Sequence, residues 1–348
     1  DIERRFKEQF LNPKKKYQNF EKLARDHPDL AGHSLWYYIS LTYGPGSISN
    51  LLYITRINRS LDNSFFYVLG VGYEQVIRDW TYFYKKKYIN TTRAELPDKK
   101  EALRIKRRGK IPVQQVELSP DGSKLAFIQN DNGRYFIYLM ERGAKKRKLL
   151  MKKGVRNLVQ DKDENYPLIA WSPDGNSLAV IYERRDVIYL REYDLKKDKY
   201  QEQKLAPQLD RVYDIDYFDD RSFILSATQM GYSNLFRYFP RTRQFDVLID
   251  DFYDDLEPET GEYLGKKGVF FASNRPDAKM YEKRIDSILP LGSFDIFFLE
   301  MSEDKPGQML RITSTNALEE RMPEQDGNEL FFLESSPESM IRGVIDLE

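Results

Sequence analysis

Over the first ninety residues, apolar positions recur at helical spacing. From His33 to Tyr43 the chain reads HSLWYYISLTY, and Leu35, Trp36, Ile39 and Tyr43 share one face of a 3.6-residue period. Gly44-Pro45-Gly46 then stops the helix. Ser47 stands where an N-cap belongs, ahead of Ile48, Leu51, Leu52 and Thr55. A third run, Ser64 to Leu69, closes at Gly70, and a fourth after Gly72 lines up Val76, Ile77, Trp80 and Tyr84. It ends in Lys85-Lys86-Lys87, cations placed favourably at a helix C-terminus. The pattern predicts a helical domain over residues 1–88, its tightest part from about residue 20, followed by a polar linker over 89–110.

From residue 111 the pattern becomes a repeat of short strands. One unit reads VELSPDGSKLAFIQNDNGRYFIYLM and the next LIAWSPDGNSLAVIYERRDVIYLREY. In each, a Ser-Pro-Asp-Gly turn (Ser119–Gly122, Ser172–Gly175) leads into an apolar strand, a hairpin loop and an aromatic strand. Asp131-Asn132-Gly133 is a strong hairpin signal. Weaker copies follow, and the apolar strands begin at Leu125, Leu178, Phe223, Val269 and Leu330. A spacing of about 40–50 residues with several strands per unit is the signature of a β-propeller. A β-sandwich has similar strand counts, but turn, strand, hairpin and strand recur here in register. The longest interval holds Asn274 to Ser293, expected as an exposed insertion on one rim.

Charge divides the chain in the same place. The 348 residues carry 55 Lys+Arg and 55 Asp+Glu, yet residues 1–110 are net +10 and the remainder net −10. The basic runs are Lys14-Lys15-Lys16, Lys85-Lys86-Lys87, Lys106-Arg107-Arg108 and Lys145-Lys146-Arg147-Lys148. They read as solvated helix ends and hairpin tips, or as a patch facing anionic lipid or an acidic partner. Zero overall charge, and basic runs without interleaved stacking aromatics, argue against nucleic acid as a partner. No run of about 18 apolar residues is present, so any membrane association is peripheral or through partners. An aromatic share of 14% is too high for a disordered chain.

Candidate chemistry is sparse. Without cysteine there is no thiol nucleophile, disulfide framework or cysteine-bound metal. The two histidines, His27 and His33, are six apart across PDLAG, not at i and i+4 of one helix as H-E-x-x-H requires. They read as a loop and a helix-start residue. No G-x-S-x-G elbow marks a serine. Asp161-Lys162-Asp163-Glu164-Asn165 opens like a calcium loop, but Tyr166 and Ser172 replace the required Gly and Glu, so it reads as a polar interblade loop. Asp250-Asp251 and Asp254-Asp255 likewise read as a solvated loop. No catalytic, cofactor-binding or metal-binding residue is nominated.

Two resemblances extend this reading. The segment from Ile2 to Tyr88 resembles the C-terminal helical part of a peptidase-MA-like (gluzincin-type) domain. The matching positions are Ala31, Gly32, Ser34, Trp36, Tyr38, Ile39, Tyr43, Gly44, Trp80 and Tyr84. In that family an H-E-x-x-H helix and a further glutamate ligand precede such a segment. No residue here matches them, so the resemblance assigns this chain no protease activity. The chain opens at Asp1 without a methionine or signal peptide, as a processed or partial chain would. The stretches WSPDGNSLAVI, FFASNRP and LRITSTNALEERMP resemble TolB-like (WD40-like, PD40) β-propellers. These have six blades, of which about five are visible here, and their axial channel and one rim bind protein or peptide segments. Together the two resemble exported envelope proteins of Bacteroidetes-type bacteria. The implied function is a non-catalytic protein-interaction scaffold without cofactors, periplasmic or associated with the outer membrane. Its propeller would dock a protein partner in a secretion, translocation or outer-membrane assembly complex. The alternative is the C-terminal part of a zinc metallopeptidase whose catalytic helix lies upstream. A propeller hydrolase of the prolyl-oligopeptidase kind would need an attached α/β-hydrolase domain.

Overall fold

The structure, a computed structural model, describes residues 2–11, 17–88, 105, 107–109, 111–144, 146–156, 165–281, 290, 292–302, 305–315, 318–336 and 340–347. The chain forms two compact units, Asp1–Pro97 with Ser336–Ser339 and Asp98–Ser335 with Met340–Glu348.

Among the described residues the first unit has six helices: α1 (Ile2–Phe10), α2 (Phe20–Asp26), α3 (Pro28–Tyr43), α4 (Gly46–Asn58), α5 (Leu61–Leu69) and α6 (Tyr73–Lys87). Their ends follow local chemistry. Asn19 and Ser60 cap α2 and α5 through side-chain oxygens, and Gly70 ends α5 in the left-handed region. Two starts differ from the pattern read along the sequence. Helix α3 begins at Pro28 rather than near His33, because proline's fixed φ suits the first helical position and Asp29 favours the N-terminal dipole. Helix α4 begins at Gly46, and the Ser47 hydroxyl donates to the Tyr43 carbonyl (2.7 Å) instead of capping. Helix α1 was not read as a helix of its own. It is short and mostly polar, and only the core explains it. There Phe6 and Phe10 meet Trp80 and Tyr84 of α6 at centroid distances of 4.6–5.9 Å. The Tyr84 hydroxyl donates to the Ser34 carbonyl (3.0 Å), tying α6 to α3.

The second unit is five antiparallel sheets, one per repeat. Blade one holds β1 (Val113–Leu118), β2 (Lys124–Asp131), β3 (Arg134–Glu141) and β4 (Lys148–Lys153). Blade two holds β5 (Leu168–Trp171), β6 (Ser177–Glu183), β7 (Ile188–Asp194) and β8 (Lys199–Lys204). Blade three holds β9 (Arg211–Asp219), β10 (Ser222–Gln229), β11 (Tyr232–Phe239) and β12 (Gln244–Val247). Blade four holds β13 (Asp255–Tyr263), β14 (Lys266–Ser273), β15 (Asp295–Ser302) and β16 (Lys305–Arg311). Blade five holds β17 (Glu319–Asp326), β18 (Glu329–Ser335) and β19 (Met340–Asp346). The chain is thus a helical unit followed by a five-bladed β-propeller, and a sixth blade is not found among the described residues.

All five repeat starts read from the sequence fall on the second strand of a blade. In the three middle blades these strands, β6, β10 and β14, are apolar on both faces because a neighbouring blade covers each face. In β6, Ala179 and Ile181 pack toward blade three, while Leu178, Val180 and Tyr182 pack toward blade one. Four such cores lie between successive blades. That stacking of five sheets in chain order distinguishes the propeller from a two-layer sandwich. In the Ser-Pro-Asp-Gly turns the Ser119 and Ser172 hydroxyls bond Asp121 and Asp174 (both 2.6 Å), and Gly122 and Gly175 take φ 64°. Asn132 and Gly133, at φ 50° and 91°, make the two-residue hairpin turn that their sequence predicts. The outer strands carry little apolar burial. Strand β8 is KYQEQK and almost wholly exposed, and β16 places Pro306 near its start.

The acidic cluster between blades three and four differs from the solvated loop expected of it. Asp250 is exposed, but Asp251 and Asp255 are fully buried around the equally buried Arg275. The Arg275 guanidinium donates to Asp251 (3.0 Å) and forks onto both Asp255 oxygens (2.7 and 2.9 Å). Arg275 belongs to the FFASNRP stretch, so the expected insertion over 274–293 begins as interior structure, with Asn274 also buried. Residues 282–289 and 291 of it lie outside the described residues. Substituting Arg275 by methionine keeps the bulk and strands two buried carboxyls. The expected loss is about 3–5 kcal/mol of stability, read from the urea midpoint of the chain by near-ultraviolet circular dichroism.

Candidate functional site

The first strand of each sheet lies at its edge, and these strands contact one another in the order β1, β5, β9, β13, β17. They therefore surround the propeller axis, with backbone edges that no neighbouring strand of their own sheet pairs. Side chains from adjacent blades take that role. The Gln115 amide donates to the Ile169 carbonyl (3.3 Å) and accepts from the Ile169 N–H (3.2 Å), acting like one residue of an extra strand. The Tyr166 hydroxyl accepts from Val212 N–H (2.9 Å), and Asn165 donates to the Val212 carbonyl (2.7 Å). Asp216 accepts from Thr260 N–H (2.7 Å), and Glu257 accepts from Met322 N–H (2.7 Å). Gln325 accepts from Glu262 N–H (2.8 Å) and donates to the Glu262 carbonyl (2.9 Å).

The same strands gather carboxylates from four blades: Glu117 of β1, Asp214 and Asp216 of β9, Glu257 and Glu259 of β13, and Glu324 of β17. Strand β5 supplies the apolar Leu168 and Ile169 and the indole of Trp171, which donates to the Glu117 carbonyl (3.2 Å). Among the described residues only Glu257 of this set has a full counter-ion, the forked guanidinium of Arg321 (2.8 and 2.9 Å). Burial pushes the Glu117 carboxyl up to about 7, with Glu324 and Asp216 adding repulsion. Burial likewise pushes Asp216 up to about 6, against the bond from Thr260 N–H and the charge of Lys267. Asp214 and Glu259 are raised well above the ordinary carboxyl range, by burial first and then by the carboxylates around them. Burial and mutual repulsion hold these carboxyls toward their protonated forms, and a cation entering the axis would be met by their ionisation. Among the described residues no group of His, Asp and Glu is arranged to hold a metal ion.

None of these axial residues was singled out in the sequence. A signal was present, since each lies just upstream of a blade turn in alternating text: VQQVEL, YDIDY, LEPE and RMPEQ. The residues that were weighed lie elsewhere. His27 sits at the α2–α3 junction with its ring edge-on to Tyr17, and His33 is an exposed residue inside α3 rather than at its start, stacked on Tyr37. The calcium-like stretch 161–164 is outside the described residues, and Asn165 serves the blade contact above. Of the basic runs, Lys14–Lys16, Lys106 and Lys145 are outside the described residues. Arg108 and Arg147 lie over the Phe136 and Tyr138 rings of blade one (4.7 and 4.1 Å).

No protein-family model matches the sequence, and no curated protein matches it either. Among solved structures the chain is similar to TolB from Acinetobacter baumannii, with 14% identity, 65% of this chain and 52% of that one covered, and a TM-score of 0.43. It is similar to the β-propeller domain of the Trilobed protease from Pyrococcus furiosus, with 10% identity, 70% and 83% covered, and a TM-score of 0.41. A puromycin-hydrolyzing peptidase of Mycobacterium tuberculosis matches with 14% identity, 67% and 36% covered, and a TM-score of 0.45. The chain spans about half the length of the Acinetobacter protein. Likeness at this level says nothing of activity, substrate or partner.

The axial carboxyls set an unusual pH response. An acid whose folded pKa is raised holds its proton when the unfolded chain has released it, so stability falls as pH climbs from about 4 toward 7. The lowered carboxyls of Asp121, Asp174 and Asp194, held down chiefly by hydrogen bonds from their own turns, act the other way but only below about 4. Calorimetry should therefore show a higher Tm at pH 5 than at pH 7.5. Asp214→Asn and Glu259→Gln should each raise Tm by about 2–4 °C at pH 7.5 and much less at pH 5.

Proposed function

We propose that the chain is a non-catalytic protein-interaction scaffold of the bacterial cell envelope whose propeller receives a positively charged segment of a partner protein. The observation that carries this reading is the set of carboxylates from four of the five inner strands around one axis, one of them neutralised by a forked arginine. Burying like charges together is unfavourable unless something offsets it, and a lysine or arginine side chain entering the axis would do so. Attraction of this kind speeds encounter and selects among partners more than it adds affinity. The reading places the protein in the periplasm or at the outer membrane, within a secretion, translocation or assembly complex. It takes the helical unit as the C-terminal helical part of a peptidase-MA-like domain, in a Bacteroidetes-type envelope protein. Support for that part is the set of ten matching positions, six of which (Ala31, Ser34, Tyr38, Ile39, Trp80 and Tyr84) are buried in the unit.

Affinity capture from a bacterial envelope extract, read by mass spectrometry, tests the scaffold. We expect partners that elute with added salt and that are lost when Glu117 and Glu259 are both replaced by glutamine. A partner set indifferent to that double substitution, or hydrolysis of peptides by the purified chain alone, would overturn the proposal.

A further inference from the structure

Helices α4 and α5 pack against each other and are joined by Arg59 and Ser60. Their inward side is ordinary, with Leu51, Ser64 and Phe65 buried. Their outward side is not. On α4, Ser49, Leu52, Tyr53, Arg56 and Ile57 follow helical spacing along one exposed stripe. On α5, Leu61, Phe66 and Tyr67 are exposed, Phe66 by 65% and Tyr67 by 80%. A surface helix normally turns polar residues outward, and an apolar face of this kind marks an interaction site. A second observation says what covers it. Residues 30–61 contain no Asp or Glu at all, in a chain with 55 of them, while Arg56 and Arg59 stand exposed within and beside the stripe. The next acid, Asp62, is engaged by the N-terminus of α6, accepting from Tyr73 N–H (2.9 Å).

We infer that this face docks on an anionic lipid surface. Tyrosine and phenylalanine rings with leucine and isoleucine suit the boundary between headgroups and acyl chains, while the arginine stems let guanidinium groups reach the phosphates. Helix α4 carries no acid to repel a negatively charged membrane, and the exposed Asp62 at the start of α5 is the single carboxylate on the face, set against Arg56 and Arg59. This surface belongs to the helical unit, and the inference does not depend on what the propeller axis receives.

Vesicle flotation of the whole chain tests it, with phosphatidylcholine alone and with phosphatidylcholine containing phosphatidylglycerol. Binding is expected to the anionic vesicles only and to weaken with salt. The exposed pair Tyr53→Ser with Tyr67→Ser should abolish it. Arg56→Gln with Arg59→Asn, the latter keeping a residue that tolerates the φ of 50° at position 59, should weaken it by roughly tenfold or more. Unchanged far-ultraviolet circular dichroism would show that both variants fold. Failure to float with anionic vesicles, equal flotation with neutral ones, or variants that bind like the parent would overturn the inference. So would a reversible dimer in sedimentation velocity that Tyr53→Ser with Tyr67→Ser disperses, because the face would then belong to a second copy of the chain.

Discussion

Everything about the propeller follows from the need to satisfy the inner edge of each sheet. A strand with no neighbour on one side leaves N–H and C=O groups unpaired, and near the axis these have little access to water. The molecule meets this with side chains that imitate a strand. Gln115 and Gln325 each give and take one backbone hydrogen bond across a blade boundary, as a peptide group would. Asp216, Glu257, Tyr166 and Asn165 supply single halves of the same pattern. Apolar packing between blades sets how closely the sheets approach, and these bonds fix their register at the centre.

Carboxylates enter the axis partly for that reason, and their number exceeds the need. Asp216 and Glu257 accept backbone bonds from the next blade, whereas Glu117 and Glu324 have no such bond to a neighbouring strand among those described above. Burial and the surplus together hold Glu117, Asp214, Asp216 and Glu259 toward their protonated forms and weaken the folded state near neutral pH. Arg275 shows the opposite solution to a similar problem. There two buried aspartates share one guanidinium, and the cluster is closed to solvent. One acidic cluster therefore encloses a cation of its own, and the other is left open to whatever cation approaches.

The sequence revealed the elements whose burial is two-sided or amphipathic. Strands β6, β10 and β14 stand out because neighbouring blades cover both faces, β2 and β18 because one face packs on a neighbouring blade within a continuous apolar run, and α6 because Val76, Trp80 and Tyr84 form a stripe. Turn chemistry at Ser119–Gly122 and Ser172–Gly175 marks the link between the first and second strands of blades one and two. Inner strands β1, β9, β13 and β17 do not stand out because about half or more of their residues are polar, which looks like loop when read for hydrophobicity alone, whereas β5 (LIAW) is apolar throughout. Helix α1 was missed because Phe6 and Phe10 are its main core contacts, and their partners lie some seventy residues away. The pairing of Asp251 and Asp255 with Arg275 spans 20–24 residues, and no local pattern announces it. What the sequence conceals is thus long-range pairing of polar groups, and that is where the candidate site lies.

The outer strands face a different constraint. Residues such as those of β8 bury almost nothing, and their requirement is to stay charged or interrupted enough to refuse another strand. Many sequences satisfy so loose a condition. Such rim strands accept almost any substitution that keeps them charged or interrupted, while a change in a second strand or an inner edge disturbs the packing between blades. A propeller built this way keeps its shape long after most of its text has changed, so kinship survives in the architecture after it has faded from the letters.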